Sequence, residues 1–319
     1  MPKYQRNVKL HQRRFERFLT FNRFLNRFLS HSAQLTLTAL IWPRYVAPYR
    51  WELTRHPLRF AGLGPAFNGY KILHLTDIHM RRRRIAHLMA AAEKCLAEEP
   101  DLVVITGDLI DYHPNSIAPI RKWLDRIVAA KPRDGVVVIF GNHDYHEYSW
   151  RHIGARSAHR ICHRALVDNV EQSGAILLRN EQHRISRPDS QDLIVVGIDE
   201  MWTTLADADK AFAGLGPTDP IVCLQHNPDG ISFLEPYPWQ IMLCGHSHGG
   251  QAHFPLLGPL YIPMERRDLL QGFFEWPLLP GQPAALGKRR MFVSRGLGQS
   301  TPIRLFCPPE ATLFTIEAV

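Results

Sequence analysis

Short apolar runs recur through the chain after residue 70, separated by stretches with helical periodicity. Six runs are rich in β-branched residues and too short for helices, as is typical of buried strands: 71–76, 102–106, 136–140, 193–198, 221–225 and 241–244. Stretches near 83–98, 116–130 and 158–173 fit helices, and segments around 252–254, 261–262, 290–294 and 312–317 fit further strands. This pattern predicts an α/β fold with two β-sheets packed face to face.

The first 69 residues have a different pattern. Residues 13–29, RRFERFLTFNRFLNRFL, place Phe and Leu on one arc of a helix and mainly polar and basic residues on the opposite arc. That division is typical of a helix in a membrane interface; a helix docked on its own domain or on a partner subunit is the alternative. Prolines and glycines in 43–69 predict an irregular connector before a core that starts at Tyr70. We assign residues 1–50 to an arm and linker and residues 51–319 to the folded domain.

The positive charge of the chain is concentrated in this arm. The 319 residues carry a formal net charge of +8, and residues 1–30 contain eight basic residues against one acidic residue. We therefore expect the N-terminus to meet an acidic surface, either anionic lipid or nucleic acid. Lipid is favoured because the aromatic residues share a helical face instead of lining an extended strand on which bases could stack.

The cysteines and the apolar runs indicate the compartment. Five cysteines without C-x-x-C spacing favour a reduced, cytosolic environment. Arg or Asn interrupts the apolar positions near the N-terminus, so no secretory signal is expected. The longest apolar run, about 35–42, is shorter than the ~20 residues that span a bilayer. We expect a cytoplasmic protein held peripherally on the inner face of the cell membrane.

Polar side chains follow five of the predicted strands at the point where each strand ends. They belong to the segments Asp77-Ile78-His79, Gly107-Asp108, Gly141-Asn142-His143-Asp144, His226-Asn227 and Gly245-His246-Ser247-His248. Because ligands of open α/β sheets bind beyond the carboxyl ends of the strands, these segments predict one common site.

The spacing within these segments suits metal ligation. In D-x-H and H-x-H, an extended backbone sends residues i and i+2 to the same side, so Asp77 with His79, and His246 with His248, can face one pocket. Carboxylate oxygen and neutral imidazole nitrogen suit Zn, Mn or Fe. The absence of clustered cysteines argues against a structural zinc site.

The motifs DIH, GDLID, GNHD, HNPD and GHSHGG resemble the calcineurin-like metallophosphoesterase family in order and spacing. SRGLG at 294–298, Pro302 with Arg304, and PPE at 308–310 resemble a bacterial subgroup that includes YkuE-type and YaeI-type phosphodiesterases. The resemblance covers nearly everything after residue 50. It implies a four-layer sandwich in which helices flank two mixed β-sheets.

The resemblance also implies the chemistry of the site. It implies two divalent metal ions, Mn, Zn or Fe with Mn favoured, that share a hydroxide which attacks phosphorus. The implied ligands are Asp77, His79 and His248 for the first ion, Asn142, His226 and His246 for the second, and Asp108 as the bridge. His143 would donate a proton to the phosphoryl oxygen or the leaving group, and Asp144 would orient His143.

Four consecutive arginines, residues 81–84, follow the DIH motif directly. They fit a phosphate clamp or a second membrane contact, and equally a solvated helix start. Arg81, Arg82 and, more weakly, Arg295 are our candidate substrate contacts.

These features together predict hydrolysis of a phosphodiester or pyrophosphate bond in a lipid-linked substrate at the membrane. Chlamydial-type UDP-2,3-diacylglucosamine pyrophosphatases of lipid A synthesis look similar in this respect. A phosphodiesterase of broader scope acting on soluble diesters is one alternative. A catalytically silent metal-binding scaffold is another, although such scaffolds usually lack the histidine at position 143 or several ligands, and this chain has them all.

Overall fold

Two six-stranded β-sheets form the centre of the computed structural model, which describes residues 37–111, 114–145, 156–254, 258–259, 262–301 and 303–319 and the single positions 20, 27, 30 and 32. The strands in chain order are β1 (Glu52–Phe60), β2 (Lys71–Leu75), β3 (Leu102–Thr106), β4 (Val136–Ile139), β5 (Ile176–Leu177), β6 (Glu181–Ile185), β7 (Leu193–Gly197), β8 (Ile221–Leu224), β9 (Ile241–Cys244), β10 (His253–Phe254), β11 (Gly258–Pro259), β12 (Gly272–Trp276), β13 (Arg289–Val293) and β14 (Glu310–Ala318).

Both large sheets are mixed. The first has the order β1-β14-β2-β3-β4-β5, with β2 to β5 parallel and β14 antiparallel to β2. The second has the order β12-β13-β9-β8-β7-β6, with four parallel central strands and an antiparallel strand at each edge. β10 and β11 form a separate antiparallel pair. The parallel strands of each sheet therefore end on one side, where the polar segments follow them.

The helices connect and cover these sheets. The α-helices are α1 (Ile85–Leu96), α2 (Ile117–Val128), α3 (Arg156–Gln172), α4 (Ala208–Ala211) and α5 (Ile231–Leu234). A π-helical segment covers Leu37–Val46, and short 3-10 turns occur at Ala47–Tyr49, Pro65–Phe67, Arg82–Arg84, Pro114–Ser116, Met201–Thr203, Pro228–Gly230, His248–Gly250 and Ala284–Leu286.

Alternation of side chains along the strands produces three apolar layers. In β2, Leu73 and Leu75 join the buried cluster that contains the apolar faces of α1 to α3, whereas Ile72 joins a second cluster between the two sheets. That second cluster includes residues of both sheets, such as Val104 and Leu243. A third cluster packs α4 and α5 against the outer face of the second sheet. The predicted α/β sandwich of two mixed sheets flanked by helices is confirmed.

The six strands predicted after residue 70 and the three helices are present, with ends shifted by a few residues. The irregular connector predicted for 43–69 is wrong, because β1 pairs with β14 along its whole length and buries Leu58 and Phe60 between the sheets. Pro57 argued against a strand here, because proline is rare inside strands. It is tolerated at the edge of a sheet, which is where β1 lies. Near the strand predicted at 261–262, the structure has a short strand at 258–259, and position 261 lies outside the described residues.

The amphipathic helix predicted for residues 13–29 lies outside the described residues, apart from two single positions. Among the residues that are described, no helix has both the length and the apolar character needed to cross a membrane.

The position of β1 gives the first prediction. Leu58→Ala removes a side chain with 0% exposure from the inter-sheet core and should lower the free energy of unfolding by about 3 kcal/mol. Arg59→Ala, at the exposed neighbouring position, is the control and should change it by less than ~0.5 kcal/mol. Urea denaturation measures both. Equal, small effects would mean that residues 52–60 are a loosely held connector after all.

Candidate metal centre

The polar segments that follow β2, β3, β4, β8 and β9 meet at one place in the structure. Two buried groups of side chains there could each hold a metal ion, and Asp108 belongs to both. The first group is Asp77, His79, Asp108 and His248, and the second is Asp108, His226 and His246. Within each group the nitrogen and oxygen atoms lie within 4.8 Å of one another.

Asp108 is at the centre of the site. Its Oδ2 atom lies 3.5 Å from His79 Nε2 and 3.3 Å from His226 Nε2. His248 Nε2 is 3.0 Å from His79 Nε2 and 3.3 Å from Asp77 Oδ1, which completes the first group. In the second group, His246 Nδ1 is 3.0 Å from Asn142 Oδ1 and 3.3 Å from His226 Nε2. The structure thus brings together all seven side chains that the resemblance implied as ligands.

Hydrogen bonds on the outer side of the imidazole rings fix which nitrogen carries the proton. His226 Nδ1 lies 2.7 Å from the Thr106 carbonyl, and His246 Nε2 lies 3.2 Å from the Pro263 carbonyl. A carbonyl oxygen can only accept, so each of these nitrogens donates and the other nitrogen of each ring presents a lone pair to the site. His79 is held in the same way, with Nδ1 3.0 Å from Asp111 Oδ1. The residues present therefore fit metal ions: several lone pairs converge within a buried space, where a cation between them would be stabilised.

The pKa values of the buried groups also indicate a site that favours a cation. Burial disfavours the charged form of His226, but the carboxylates around it, Asp108 above all, outweigh burial and raise its pKa to about 10. Burial raises the pKa of Asp108, and His226 and His143 reverse this and hold it well below its ordinary value. The electrostatic potential around Asp108 and His226 therefore favours an added positive charge.

The backbone carries strain at the same residues. Asp77, His79, Asp108, His246 and His248 have φ angles of 52°, 42°, 52°, 67° and 50°. Each non-glycine residue in this left-handed region costs about 1 kcal/mol, and such strain concentrates at functional sites. Five of the seven implied ligands are therefore held in conformations that packing alone does not favour.

Glycines permit the close approach of backbone to ligands. A Cβ atom on Gly245 would contact Thr76 Oγ1 and Asp77 Oδ2, and one on Gly296 would lie 2.6 Å from the Cβ of Asp77. Gly296 belongs to the SRGLG loop, which donates from Leu297 and Gly298 to the Thr76 and Asp77 carbonyls at 3.0 and 2.8 Å. The SRGLG loop thus fixes the chain just after β2, where the first ligand, Asp77, lies.

Arg304 connects the SRGLG loop to His248, which follows a strand of the second sheet. Its guanidinium has 0% exposure and donates to the carbonyls of His248 and Gly298 at 3.0 and 2.6 Å. The sequence contained Arg304 in a family motif, but only the fold shows what it contacts.

His143 lies at the edge of the ligand cluster. Its backbone N–H donates to Asp108 Oδ1 at 2.9 Å, and its ring Nε2 is 4.0 Å from Asp108 Oδ2. The carboxylate beside its Nδ1 is that of Asp111, at 3.4 Å. Asp144, for which the resemblance implied that role, uses its two oxygens to accept from the Gly141 and Ile110 N–H groups. The structure thus places Asp111 of the GDLID motif against the His143 ring and Asp144 under the backbone of the loop.

The three candidate substrate contacts have different surroundings. Arg81 forms an ion pair with Asp111 and donates to the Ser300 carbonyl. Arg82 is exposed. Arg295 is bound by Glu310 and Glu52 at 2.6 and 2.9 Å, so its charge is already balanced.

Two residues near the site were not singled out from the sequence. The Trp202 ring packs edge-on against His246 with centroids 4.8 Å apart, and 41% of the residue is exposed. Glu200 is buried beside it and accepts from the Trp202 N–H at 3.0 Å. Burial raises the pKa of Glu200 to about 7. The only sequence signal was the aromatic content of residues 200–216, which fits an apolar substrate groove and ordinary packing equally.

The chain belongs to the calcineurin-like phosphoesterase family, whose model matches residues 70–250. It is therefore a metal-dependent phosphoesterase. It is 29% identical to phosphodiesterase YaeI of Escherichia coli over 91% of this chain and 98% of that protein. It is 25% identical to the uncharacterized metallophosphoesterase YkuE of Bacillus subtilis over 87% and 89% of the two chains. It is also 28% identical to the UDP-2,3-diacylglucosamine pyrophosphatase LpxG of Chlamydia muridarum over 85% and 90%.

The tight contact at Gly245 gives the second prediction. Gly245→Ala should displace Asp77, because the new Cβ would overlap its carboxylate. The metal retained after dialysis, measured by elemental analysis, should fall by about tenfold or more, since disturbing the groups that orient a metal ligand has an effect of that size on metal affinity. Gly216→Ala is the matched control, because its nearest atom would be 3.9 Å from the new Cβ. Full metal retention in Gly245→Ala would show that this approach of backbone to Asp77 does not position the ligand.

Proposed function

We propose that this protein hydrolyses a phosphodiester or pyrophosphate bond with water as the nucleophile. The observation that carries the proposal is the convergence of lone pairs on Asp108 from two sides. Asp77, His79 and His248 would hold one divalent ion with Asp108, and Asn142, His226 and His246 would hold the other. When bound, the two ions would supply positive charge that activates water and neutralises phosphate oxygens.

The chain's own residues would complete the reaction. His143 has a side chain that is 16% exposed and lies beside Asp108, so its Nε2 can reach a phosphate held at the ligand cluster. The Asp111 carboxylate beside Nδ1 would orient the ring, with its Nε2 atom toward the leaving oxygen. Asp144 fixes the turn that carries His143 through its bonds to Gly141 and Ile110. His143 is thus the proposed acid, and Asp111 and Asp144 position it.

We propose a lipid-linked nucleotide such as UDP-2,3-diacylglucosamine as the substrate, split at its pyrophosphate. The support is the similarity to LpxG, a protein of that named activity, and the basic amphipathic sequence of residues 13–29. Such a substrate would be met by a protein held peripherally on the inner face of the cell membrane. Manganese is the favoured metal, and nucleic acid is disfavoured as the partner of the arm.

A phosphodiesterase acting on soluble diesters is the second candidate, favoured by the similarity to YaeI, which is named a phosphodiesterase. A silent scaffold is disfavoured because the cluster has every implied ligand and His143.

A direct comparison of substrates tests the proposal and is the third prediction. Manganese-loaded protein should release UMP from a UDP-linked diacyl sugar in vesicles with a higher kcat/KM than it shows toward bis-para-nitrophenyl phosphate. A higher value for the soluble diester would favour the second candidate. Absence of turnover of both, with Mn, Zn and Fe supplied in turn, would leave only the scaffold.

The proposed acid gives the fourth prediction. His143→Ala should lower kcat by about 100-fold for a diester with an alkoxide leaving group, since general acid catalysis contributes on that order. The loss should be much smaller for para-nitrophenolate, which leaves without a proton. Bound metal, measured by elemental analysis, should not change. An equal loss for both leaving groups would argue that His143 binds the phosphate without donating a proton.

A further inference from the structure

Two segments that are distant in the sequence, each with exposed apolar side chains, meet near the metal centre. Ile41, Trp42 and Tyr45 of the π-helical segment are exposed, as are Ile303 and Phe306 near the C-terminus. The two segments are neighbours because the Arg304 N–H donates to the Pro43 carbonyl at 2.8 Å. We refer to these five exposed residues as the aromatic face.

Phe306 has two features that packing does not explain. It is 73% exposed, more than any other large apolar residue in the described part of the chain. Its φ angle is 51°, in the left-handed region that a bulky side chain rarely adopts. An exposed ring and a strained backbone both lower stability, so a contact outside the domain accounts for them better than the fold does.

The surroundings of the aromatic face are basic. Arg44, Arg50, Arg82 and Arg83 are exposed, and the Arg50 guanidinium lies 5.7 Å from the centre of the Trp42 ring. The neighbouring Arg84 lies 5.8 Å from the centre of the Tyr49 ring, which joins the arginine turn to the same surface. Segments 37–51, 81–89 and 297–309 contain no acidic residue. The surface is thus complementary to an anionic one.

The same segments are attached to the metal centre. The Arg304 side chain turns inward and lies 3.3 Å from His248 Nδ1, while Ile303 and Phe306 on either side of it are exposed. Arg81, two residues after His79, donates to the Ser300 carbonyl at 2.9 Å. The C-terminal part of the aromatic face is therefore joined to a proposed ligand, His248, through Arg304.

We propose that the aromatic face docks on an anionic phospholipid bilayer, with Trp42, Tyr45 and Phe306 entering the interface and the exposed arginines binding lipid phosphates. Tryptophan and tyrosine are enriched at membrane interfaces, and each basic residue near an anionic surface adds attraction. This contact is separate from residues 13–29. It deepens the proposed function, on which it rests, by identifying the surface that brings the site to a lipid-linked substrate.

The double variant Trp42→Ser with Phe306→Asn tests the apolar contact. Asparagine tolerates the left-handed backbone, so the fold should remain intact by circular dichroism and thermal unfolding. In the full chain, partitioning onto vesicles of equal parts phosphatidylcholine and phosphatidylglycerol should weaken about tenfold or more, in proportion to the apolar area withdrawn. Ile161→Asn on α3, where the replaced residue is 71% exposed, is the matched control and should partition like the unaltered protein.

A second variant tests the charge. Arg44→Gln with Arg50→Gln should weaken binding to the anionic vesicles and leave the weak binding to pure phosphatidylcholine unchanged. Turnover of bis-para-nitrophenyl phosphate should be unchanged in all of these variants. That measurement separates failure of docking from failure of the proposed chemistry, because a protein without phosphoesterase activity would show no turnover in any variant.

Insertion can be observed directly because the five native cysteines are buried. A polarity-sensitive fluorophore attached to Phe306→Cys should shift to the blue when anionic vesicles are added, and one attached to Ile161→Cys should not. Unchanged partitioning of the double variant would overturn the proposal. So would a label at 306 that is already shielded without vesicles, or a dimer in sedimentation that the double variant abolishes, because the arm or a second copy would then cover the face.

Discussion

The crowding of lone pairs around Asp108 is the constraint on which the site depends. Thr106, Pro263 and Asp111 accept from the outer nitrogens of His226, His246 and His79, so when these rings are neutral their inner nitrogens carry lone pairs and cannot donate to one another. Burial excludes the water that would otherwise separate them. A cation placed among them would accept these lone pairs, and the raised pKa of His226 reflects the same excess of negative charge around the rings.

The sandwich provides this arrangement because the ligands come from both sheets. Asp77, Asp108 and Asn142 follow strands of the first sheet, whereas His226, His246 and His248 follow strands of the second. The approach of the sheets at their ends therefore sets the distances. Gly107 is one point of close approach, since a Cβ there would lie 2.8 Å from His226 Nδ1. Packing between the two sheets therefore also sets the geometry of the metal centre. The strands that precede the ligands hold the strained φ angles of these residues.

The central strands of the two sheets are predicted from the sequence much better than the edge strands. All six confirmed early strands are continuous apolar runs, since each is covered on both faces. The strands that pattern analysis missed, β1, β5, β6 and β12, are the four outermost strands of the two sheets. An edge strand is partly exposed, so β1, β6 and β12 contain proline, charge or glycine and lack a continuous apolar run, and β5 is only two residues long.

The site shows the same division. The implied ligands follow predicted strand ends at fixed spacings, so a single sequence was enough to group them. The contacts that tune them, namely Asp111 with His143, Trp202 with His246 and Arg304 with His248, join segments from 32 to 56 positions apart and depend on how the chain folds back. Pattern within one segment contains no information about such pairs.

The position of Arg304 connects the chemistry to the surface. Its backbone N–H holds the π-helical segment, its side chain holds the SRGLG loop and the His248 carbonyl, and Phe306 lies two residues away on the outside. A force on Phe306 from a docked bilayer would therefore be transmitted through one buried guanidinium to a ligand of the proposed metal centre. A membrane contact at this face would orient the site and act on its geometry, whereas a contact made through the N-terminal arm alone would only raise the local concentration of substrate.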